Sequence, residues 1–405
     1  MQRDFSLAFS SIETVLLESV SVSDFREIEL CMRIMFVGSL WGLENIHQIL
    51  ESRGIGSDSL YKHWSGFSRK QVEEVVNKVF MNNIRELLIE KGSKSESTWS
   101  RSEISFVGDV SIFMQWLSTQ KGIAGNEYFA KYFSGQRHTT VYGWRVFLLG
   151  IVVDGTFYPM YFQIMHKKEC EKEVAGNLLS QAGEFLKNIQ ATHPELSFPN
   201  VFCGFDSGFH NKSLLEKAEE SGFTPICVAK NNHTIVQNGK KYSISKYITE
   251  VFEPAEAKAQ GDEAFLLRVR IHYQSLDREV VMIFFRLNGS KKVSAVYSTD
   301  ITLSAKTIRR RWFQRTQIEQ FFPMMKDTLK IQHSKSTDIE SFAKKLCVFL
   351  FKASFAYQFR NQARKRKNLK NIAFSKIIFC FVNYDIDSDY LDDLLQKIYP
   401  KYKYK

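Results

Sequence analysis

The chain has no cysteine pair at C-x-x-C spacing: Cys31, Cys170, Cys203, Cys227, Cys347 and Cys380 lie scattered through it. That excludes a zinc ribbon or a vicinal redox pair and reads as reduced thiols of a cytosolic protein. No apolar run is long enough to span a bilayer; the longest, Val146 to Val153, is short and preceded by Arg145. The opening stretch, MQRDFSLAFSSIETVLLESV, carries acidic residues within its apolar pattern and lacks the uncharged core of a signal peptide. There is no internal repeat and no long low-complexity segment, which sets solenoid architectures aside. A cytoplasmic protein with no membrane role is the expectation.

What is present is a long, basic, phenylalanine-rich chain. Its 405 residues suffice for about two or three domains with a full core. Hydrophobic residues make up 44% and charged residues 24%, the balance of a soluble globular protein, and 34 residues are phenylalanine. The net charge of +11 asks for an acidic partner, nucleic acid first; a merely basic soluble protein is the alternative.

Residues 1–95 read as a helical N-terminal domain. Ser23 to Leu50 is rich in helix formers, Gly54-Ile55-Gly56-Ser57 interrupts, and Ser57 to Trp64 can start a short second helix. Helix, glycine turn and short helix fit a helix-turn-helix unit bringing Lys62 and His63 to DNA; a plain helical bundle that buries Tyr61 and Trp64 fits equally. Ser68 then caps an amphipathic helix to about Glu90, with Val72, Val75, Val76, Val79 and Phe80 on one side. The serine-rich segment Gly92 to Ser102 is a linker.

Residues 103–230 alternate strands and helices. A strand from Glu103 to Val107 leads into Asp109. Two apolar strands, Val141 to Val153 and Thr156 to Met165, meet at Asp154-Gly155, a hairpin signal. A helix over Lys168 to Ile189 precedes a short buried strand, Asn200 to Phe205, that ends at Asp206. A helix over Lys212 to Ser221, closed by Gly222, leads to a strand at Pro225 to Ala229. Residues 231–303 form a β-rich insertion, with strand-like runs at Leu266–His272, Glu279–Phe285 and Val293–Tyr297 and turns at Asn238-Gly239 and Asn288-Gly289. Glu253 to Glu263 reads as a polar break. Residues 304–360 hold a helix from Ala305 to Phe322, with Pro323 at its end and a kink expected between Glu319 and Lys326, then an apolar helix from Ser341 to Arg360. Residues 361–405 are a basic C-terminal region with the run Arg364-Lys365-Arg366-Lys367, either a phosphate contact or a solvated charged segment.

Within the late helix, Arg315, Glu319, Phe322 and Lys326 recur at one-face spacing. Taken alone, Arg315 and Glu319 are an ordinary i,i+4 salt-bridge pair. Taken with the rest of the chain, Glu319 is a carboxylate between cations, suited to a divalent ion, and the cations suit phosphate oxygens. Asp109 and Asp206 each stand beside a strand end; singly, either is also a common turn former.

The combination resembles the DDE transposases of bacterial insertion sequences, in the group with a Y-x2-R-x3-E-x6-K signature. The signature reads here Trp312-x2-Arg315-x3-Glu319-x6-Lys326. Asp206-Ser207-Gly208-Phe209 after a strand is similar to that family's D-x-G-F, and Asp109-Val110-Ser111 to its first-acid motif. The resemblance covers about residues 100–360. It implies an α/β fold: an RNase H-like mixed sheet flanked by helices and interrupted by a β-rich insertion. It implies that Asp109, Asp206 and Glu319 are the catalytic residues and hold two Mg²⁺ ions, with Mn²⁺ able to substitute. It implies that Arg315 and Lys326 contact DNA phosphates and that Trp312, in place of tyrosine, stacks without the hydroxyl's acceptor role. Lys230, just after a strand, is a further candidate phosphate contact, or an ordinary surface lysine. The implied activity is cut-and-paste transposition. It would act on terminal inverted repeats and target DNA, in a dimer on DNA, by a nucleoid-associated cytoplasmic protein. A non-transposing metal-dependent nuclease on the same core, or a DNA-binding protein without catalysis, are the alternatives. Some relatives in that family form a DNA hairpin and hold a flipped base on an aromatic residue of the insertion; the insertion here contains no tryptophan, which leaves the hairpin step open.

Overall fold

The computed structural model describes residues 68–93, 104–114, 126–134, 138–198, 201–259, 265–287, 290–328, 331, 338–347, 349, 350, 353, 354 and 357. The expected helix-turn-helix, the Asn288-Gly289 turn and the basic C-terminal run lie outside the described residues.

Among the described residues, eleven strands form one mixed sheet. Its first half is β1 (Ile104–Met114), β2 (Phe129–Ser134), β3 (Thr139–Val153), β4 (Thr156–Ile164), β5 (Val201–Phe205) and β6 (Thr224–Val228). β1 pairs antiparallel with β3, which carries β2 and β4 along its other side. On its opposite side β1 pairs parallel with β5, and β5 with β6. The β3–β4 hairpin turns at Asp154-Gly155, both at positive φ (49° and 73°), as its sequence requires.

The inserted strands are β7 (Thr234–Gln237), β8 (Lys240–Ser243), β9 (Leu266–Tyr273), β10 (Arg278–Arg286) and β11 (Val293–Ser298). They extend the same sheet, because β11 pairs antiparallel with β6 from Ile226 to Val228. The β7–β8 turn at Asn238-Gly239 again takes positive φ at both residues. The first part of the expected polar break is helical, Glu253–Lys258, and a π-helical turn, Ile248–Phe252, joins it to the preceding helix Ile244–Tyr247.

Helices cover both faces. Helices α1 (Arg69–Ser93), α2 (Glu171–Thr192) and α3 (Lys212–Glu220) come from the first half, α4 (Ala305–Gln314) and α5 (Thr316–Pro323) from the second. On one face Val174, Leu178 and Leu186 of α2 and Leu214 of α3 meet Phe106, Phe147, Cys203 and Phe205. On the other, Ile318, Phe321 and Phe322 of α5 join Val107, Phe113, Trp144 and Leu148. Ile308 and Trp312 of α4 join Phe202, Ile226, Val281 and Phe285 there. The alternation of β1 decides the division: its even residues Ile104 and Phe106 face α2, and its odd residues Val107 and Phe113 face α5.

Helix α1 starts as its sequence implies, with a reciprocal cap: the Ser68 amide donates to Gln71 Oε1 at 2.8 Å and the Gln71 amide to Ser68 Oγ at 3.4 Å. Its polar side has a second task. Glu73 and Asn77, four apart on one stripe, accept from the amides of Ile164 and Phe162 at 2.9 Å each. Arg69 and Asn77 donate to the carbonyls of the same two residues at 3.1 and 3.2 Å. These side chains pair the outer edge of β4, which otherwise would offer a template for another strand. Burial pushes the Glu73 carboxyl up to about 7 against the lowering effect of Arg69. A raised carboxyl favours the fold most below its unfolded pKa, and that contribution is lost as pH rises through about 7. Glu73→Ala is expected to cost roughly 1–3 kcal/mol in urea unfolding by leaving the Ile164 amide unpaired. Glu73→Gln is expected to cost less and to flatten stability between pH 5 and 8; equal losses for both variants would contradict this role.

Candidate active site

Asp109 lies on β1, but not at its end. The strand runs five residues further, to Met114, because β3 pairs with it throughout. What stops near Asp109 is the parallel pairing, whose last matched residues are Val107 and Gly204. Asp109 and Asp206 each lie two residues beyond that pair, Asp109 within β1 and Asp206 directly after β5, where the parallel pairing of the two strands stops. In open α/β sheets that edge gathers functional groups. Alternation gives Asp109 the same face as Val107 and Phe113, beneath α5.

Asp206 is held by its own loop. Its Oδ1 accepts from the Gly208 amide at 2.7 Å, capping a short 3-10 turn, Ser207–Phe209. A Cβ at position 208 would lie 2.9 Å from that oxygen, so the glycine of D-x-G-F permits the close approach. Phe209 points to the opposite layer, 5.3 Å from Phe205 and 5.9 Å from Phe147 between ring centroids.

Arg315 and Glu319 arrive from the second half of the chain. The expected single helix is broken at Arg315: α4 ends at Gln314, α5 begins at Thr316, and the Arg315 amide bonds the Trp312 carbonyl at 3.0 Å. Arg315 sits over β5, where a Cβ on Gly204 would be 3.8 Å from the Arg315 Cβ. Its guanidinium pairs with the Glu319 carboxylate; the arginine side chain is 10% exposed and the glutamate 44%. One residue earlier, Gln314 receives the Ser105 hydroxyl of β1. Phe322 lies 6.2 Å from Phe113, and Lys326 Nζ lies 5.4 Å from the same ring. The helices thus track the odd face of β1 from Ser105 past Asp109 to Phe113. The kink expected at Pro323 takes the form of a π-helical turn, Met324–Thr328, directly after it.

The charges interact across this junction. Burial pushes the Asp109 carboxyl up to about 7; Asp206 and, less strongly, Glu319 add to the rise, while Arg315 and the Val110 amide oppose it. Asp109 therefore senses the charges at 206, 315 and 319. Among the described residues, no three His, Cys, Asp or Glu side chains converge closely enough to hold a metal ion as they stand. The donor set nevertheless fits a hard divalent cation. All three groups offer carboxylate oxygen, and their mutual repulsion is what such a cation relieves.

Trp312 lies in the core. It is 9% exposed, packed 5.4 Å from Phe285 and 5.0 Å from Phe313, with its indole N–H buried and unpaired. Its ring packs onto the sheet with Phe202, Ile226 and Val281. Lys230, two residues beyond β6, is half-buried beside His210 and His233, both of which its charge pushes down together with burial. Lys326 is likewise half-buried. Sequence reasoning missed His210, whose signal was its place directly after D-x-G-F.

No helix among the described residues is long and apolar enough to cross a membrane. No family model matches the chain, and no curated protein matches it. Among solved structures, the chain is similar to a piggyBac transposase in a synaptic complex with hairpin DNA. Identity is 10% and the TM-score 0.44, over 96% of this chain and 80% of that one. It is also similar to Ciona intestinalis endonuclease V in complex with a 24mer DNA containing an inosine followed by a ribo-adenosine. Identity there is 13% and the TM-score 0.27, over 56% of this chain and 87% of the other. Likenesses this distant carry no functional argument, which stands on the side chains themselves.

Proposed function

We propose that the chain is a metal-dependent DNA transposase of the DDE type on an RNase H-like core, with Asp109, Asp206 and Glu319 as its catalytic carboxylates. The observation that carries this reading is that Asp109 and Asp206 lie two residues beyond the last parallel β1–β5 pair, with Arg315 over β5 and paired to Glu319, and that all three neighbours act on the charge of Asp109. The family resemblance selects these same positions from three distant parts of the sequence. The mixed sheet with helices on both faces accords with the implied core.

In this reading Asp109, Asp206 and Glu319 would hold two Mg²⁺ ions. When bound, the ions supply activation of a water or 3′-hydroxyl and stabilisation of the leaving oxygen. The chain's own groups do the rest. The β-strand scaffold fixes Asp109 and the Gly208 amide orients Asp206. Arg315 pairs with Glu319 across the junction, and it offers positive charge to a phosphate. Lys326 and Lys230, both half-buried, are the proposed further phosphate contacts, and inverted-repeat and target DNA the proposed substrates. A dimer on DNA, which would hold two ends together, belongs to the same proposal.

A strand-transfer assay separates this from a simple nuclease. Wild type with Mg²⁺ and DNA bearing the flanking inverted repeats is expected to give 3′-hydroxyl ends joined to target DNA, and Glu319→Gln none. Cut ends that never join would assign a non-transposing nuclease.

A further inference from the structure

The loop that carries Asp206 ends at His210, which is 8% exposed and wholly engaged. Its Nδ1 lies 2.7 Å from the Tyr297 hydroxyl on β11, and its Nε2 2.8 Å from Ser275 Oγ in the turn between β9 and β10. Both partners belong to the insertion. The ring packs 4.4 Å from His233 and 4.9 Å from Tyr273, and His233 Nδ1 bonds the Tyr273 hydroxyl at 2.8 Å. Burial, with His233 and Lys230 beside it, pushes His210 down to about 4, so the ring is neutral at physiological pH. A neutral imidazole donates from one nitrogen and accepts at the other, and Tyr297 and Ser275 can satisfy either tautomer.

The loop is therefore pinned at both ends. At its start β5 delivers Asp206; at its close, four residues later, the insertion grips His210. Between them Phe209 is locked among Phe147 and Phe205. We infer that His210 is a positioning residue for Asp206, through which the insertion strands hold the second carboxylate ready for a divalent ion. This rests on the proposed metal-binding role of Asp206. It gives the insertion a task at the site besides any contact with DNA. Hydrogen-bond partners that orient a metal-ligating group commonly govern about 10–100-fold in metal affinity.

The test measures Mn²⁺ binding to the full-length chain without DNA, by the electron paramagnetic resonance signal of free Mn²⁺, together with thermal unfolding. Asp206→Asn is the benchmark and should weaken binding. His210→Ala is expected to weaken it about tenfold, and His210→Asn, which restores an amide near the Nδ1 position, to recover part of the loss. Tyr297→Phe and Ser275→Ala each remove one hydrogen bond and should each weaken binding by a smaller factor while unfolding near the wild-type temperature. These two carry the test if His210→Ala does not fold. Tyr297→Phe combined with His210→Ala should bind no worse than His210→Ala alone. If Asp206→Asn loses Mn²⁺ while the His210, Tyr297 and Ser275 variants bind as wild type, with only their unfolding temperatures lowered, His210 is structural and the inference fails. If Asp206→Asn binds Mn²⁺ as wild type does, the metal reading falls and the inference with it.

Discussion

Asp109→Asn is expected to abolish Mg²⁺-dependent DNA cleavage, by at least about a thousandfold (roughly 4 kcal/mol in the barrier), and yet to make the metal-free protein more stable at pH 8. The two effects share one cause. Burial and the neighbouring carboxylates raise the Asp109 carboxyl to about 7. The sign follows from linkage: its contribution to stability is present in full below about pH 4 and is lost as pH rises through about 7. Above that pH the wild type must hold an ionised carboxylate against Asp206. Asparagine keeps the size and discards the charge. The expected gain at pH 8 is on the order of 2 kcal/mol. That is below full conversion at about 1.4 kcal/mol per pH unit, because water reaches part of the side chain. Urea unfolding at pH 5 and pH 8 measures it. The variant should gain on the wild type between the two pH values, and adding Mg²⁺ at pH 8 should narrow the gap by stabilising the wild type alone. A variant no more stable than wild type at pH 8 would contradict the electrostatic description of the site.

The second large effect concerns Arg315. Its side chain is nearly buried, and it is the cation that offsets the carboxylate charge felt by Asp109. Arg315→Ala removes that charge and leaves Asp109, Asp206 and Glu319 facing one another. Breaking a well-buried ion pair costs about 3–5 kcal/mol. Here the half-exposed Glu319 can turn to water, so about 2–3 kcal/mol is expected at pH 8, with DNA affinity also falling. Arg315→Lys should recover only part of either, because an ammonium cannot reproduce the planar guanidinium. Arg315→Ala combined with Glu319→Gln should be less destabilised than Arg315→Ala alone. Equal stability of the two would show that Arg315 acts by packing alone.

The parts of this architecture that were legible in the sequence are those set by local chemistry. Asp154-Gly155 and Asn238-Gly239 announce turns because few other pairs accept positive φ at both positions. The apolar runs of β3, β4, β5 and β6 are strands buried by a core on both faces. Asp206 and Glu319 were visible through fixed spacing to Gly208 and Arg315. What was hidden depends on partners distant in sequence. Asp109 looked like a residue past a strand end, but β3 prolongs β1 to Met114. The short strand β2 carries lysine and serine among its aromatics and is defined mainly by its pairing with β3. The pairing of the β4 edge by Arg69, Glu73 and Asn77 cannot be seen in α1 alone. Trp312 matched a position where the resembled family contacts DNA, yet Phe285, from the insertion, supplies the apolar surface that claims its ring. His210 fell silent for the same reason: its partners, Tyr297 and Ser275, come from the insertion.

The most direct measurement is cleavage of DNA carrying the flanking inverted repeats, wild type beside Asp206→Asn, with Mg²⁺ and with the metal chelated. Cutting by the wild type in Mg²⁺ alone, with none by Asp206→Asn although it is folded and binds the same DNA, is the predicted result. Equal cutting by both proteins would remove Asp206 from the catalytic centre and contradict the account.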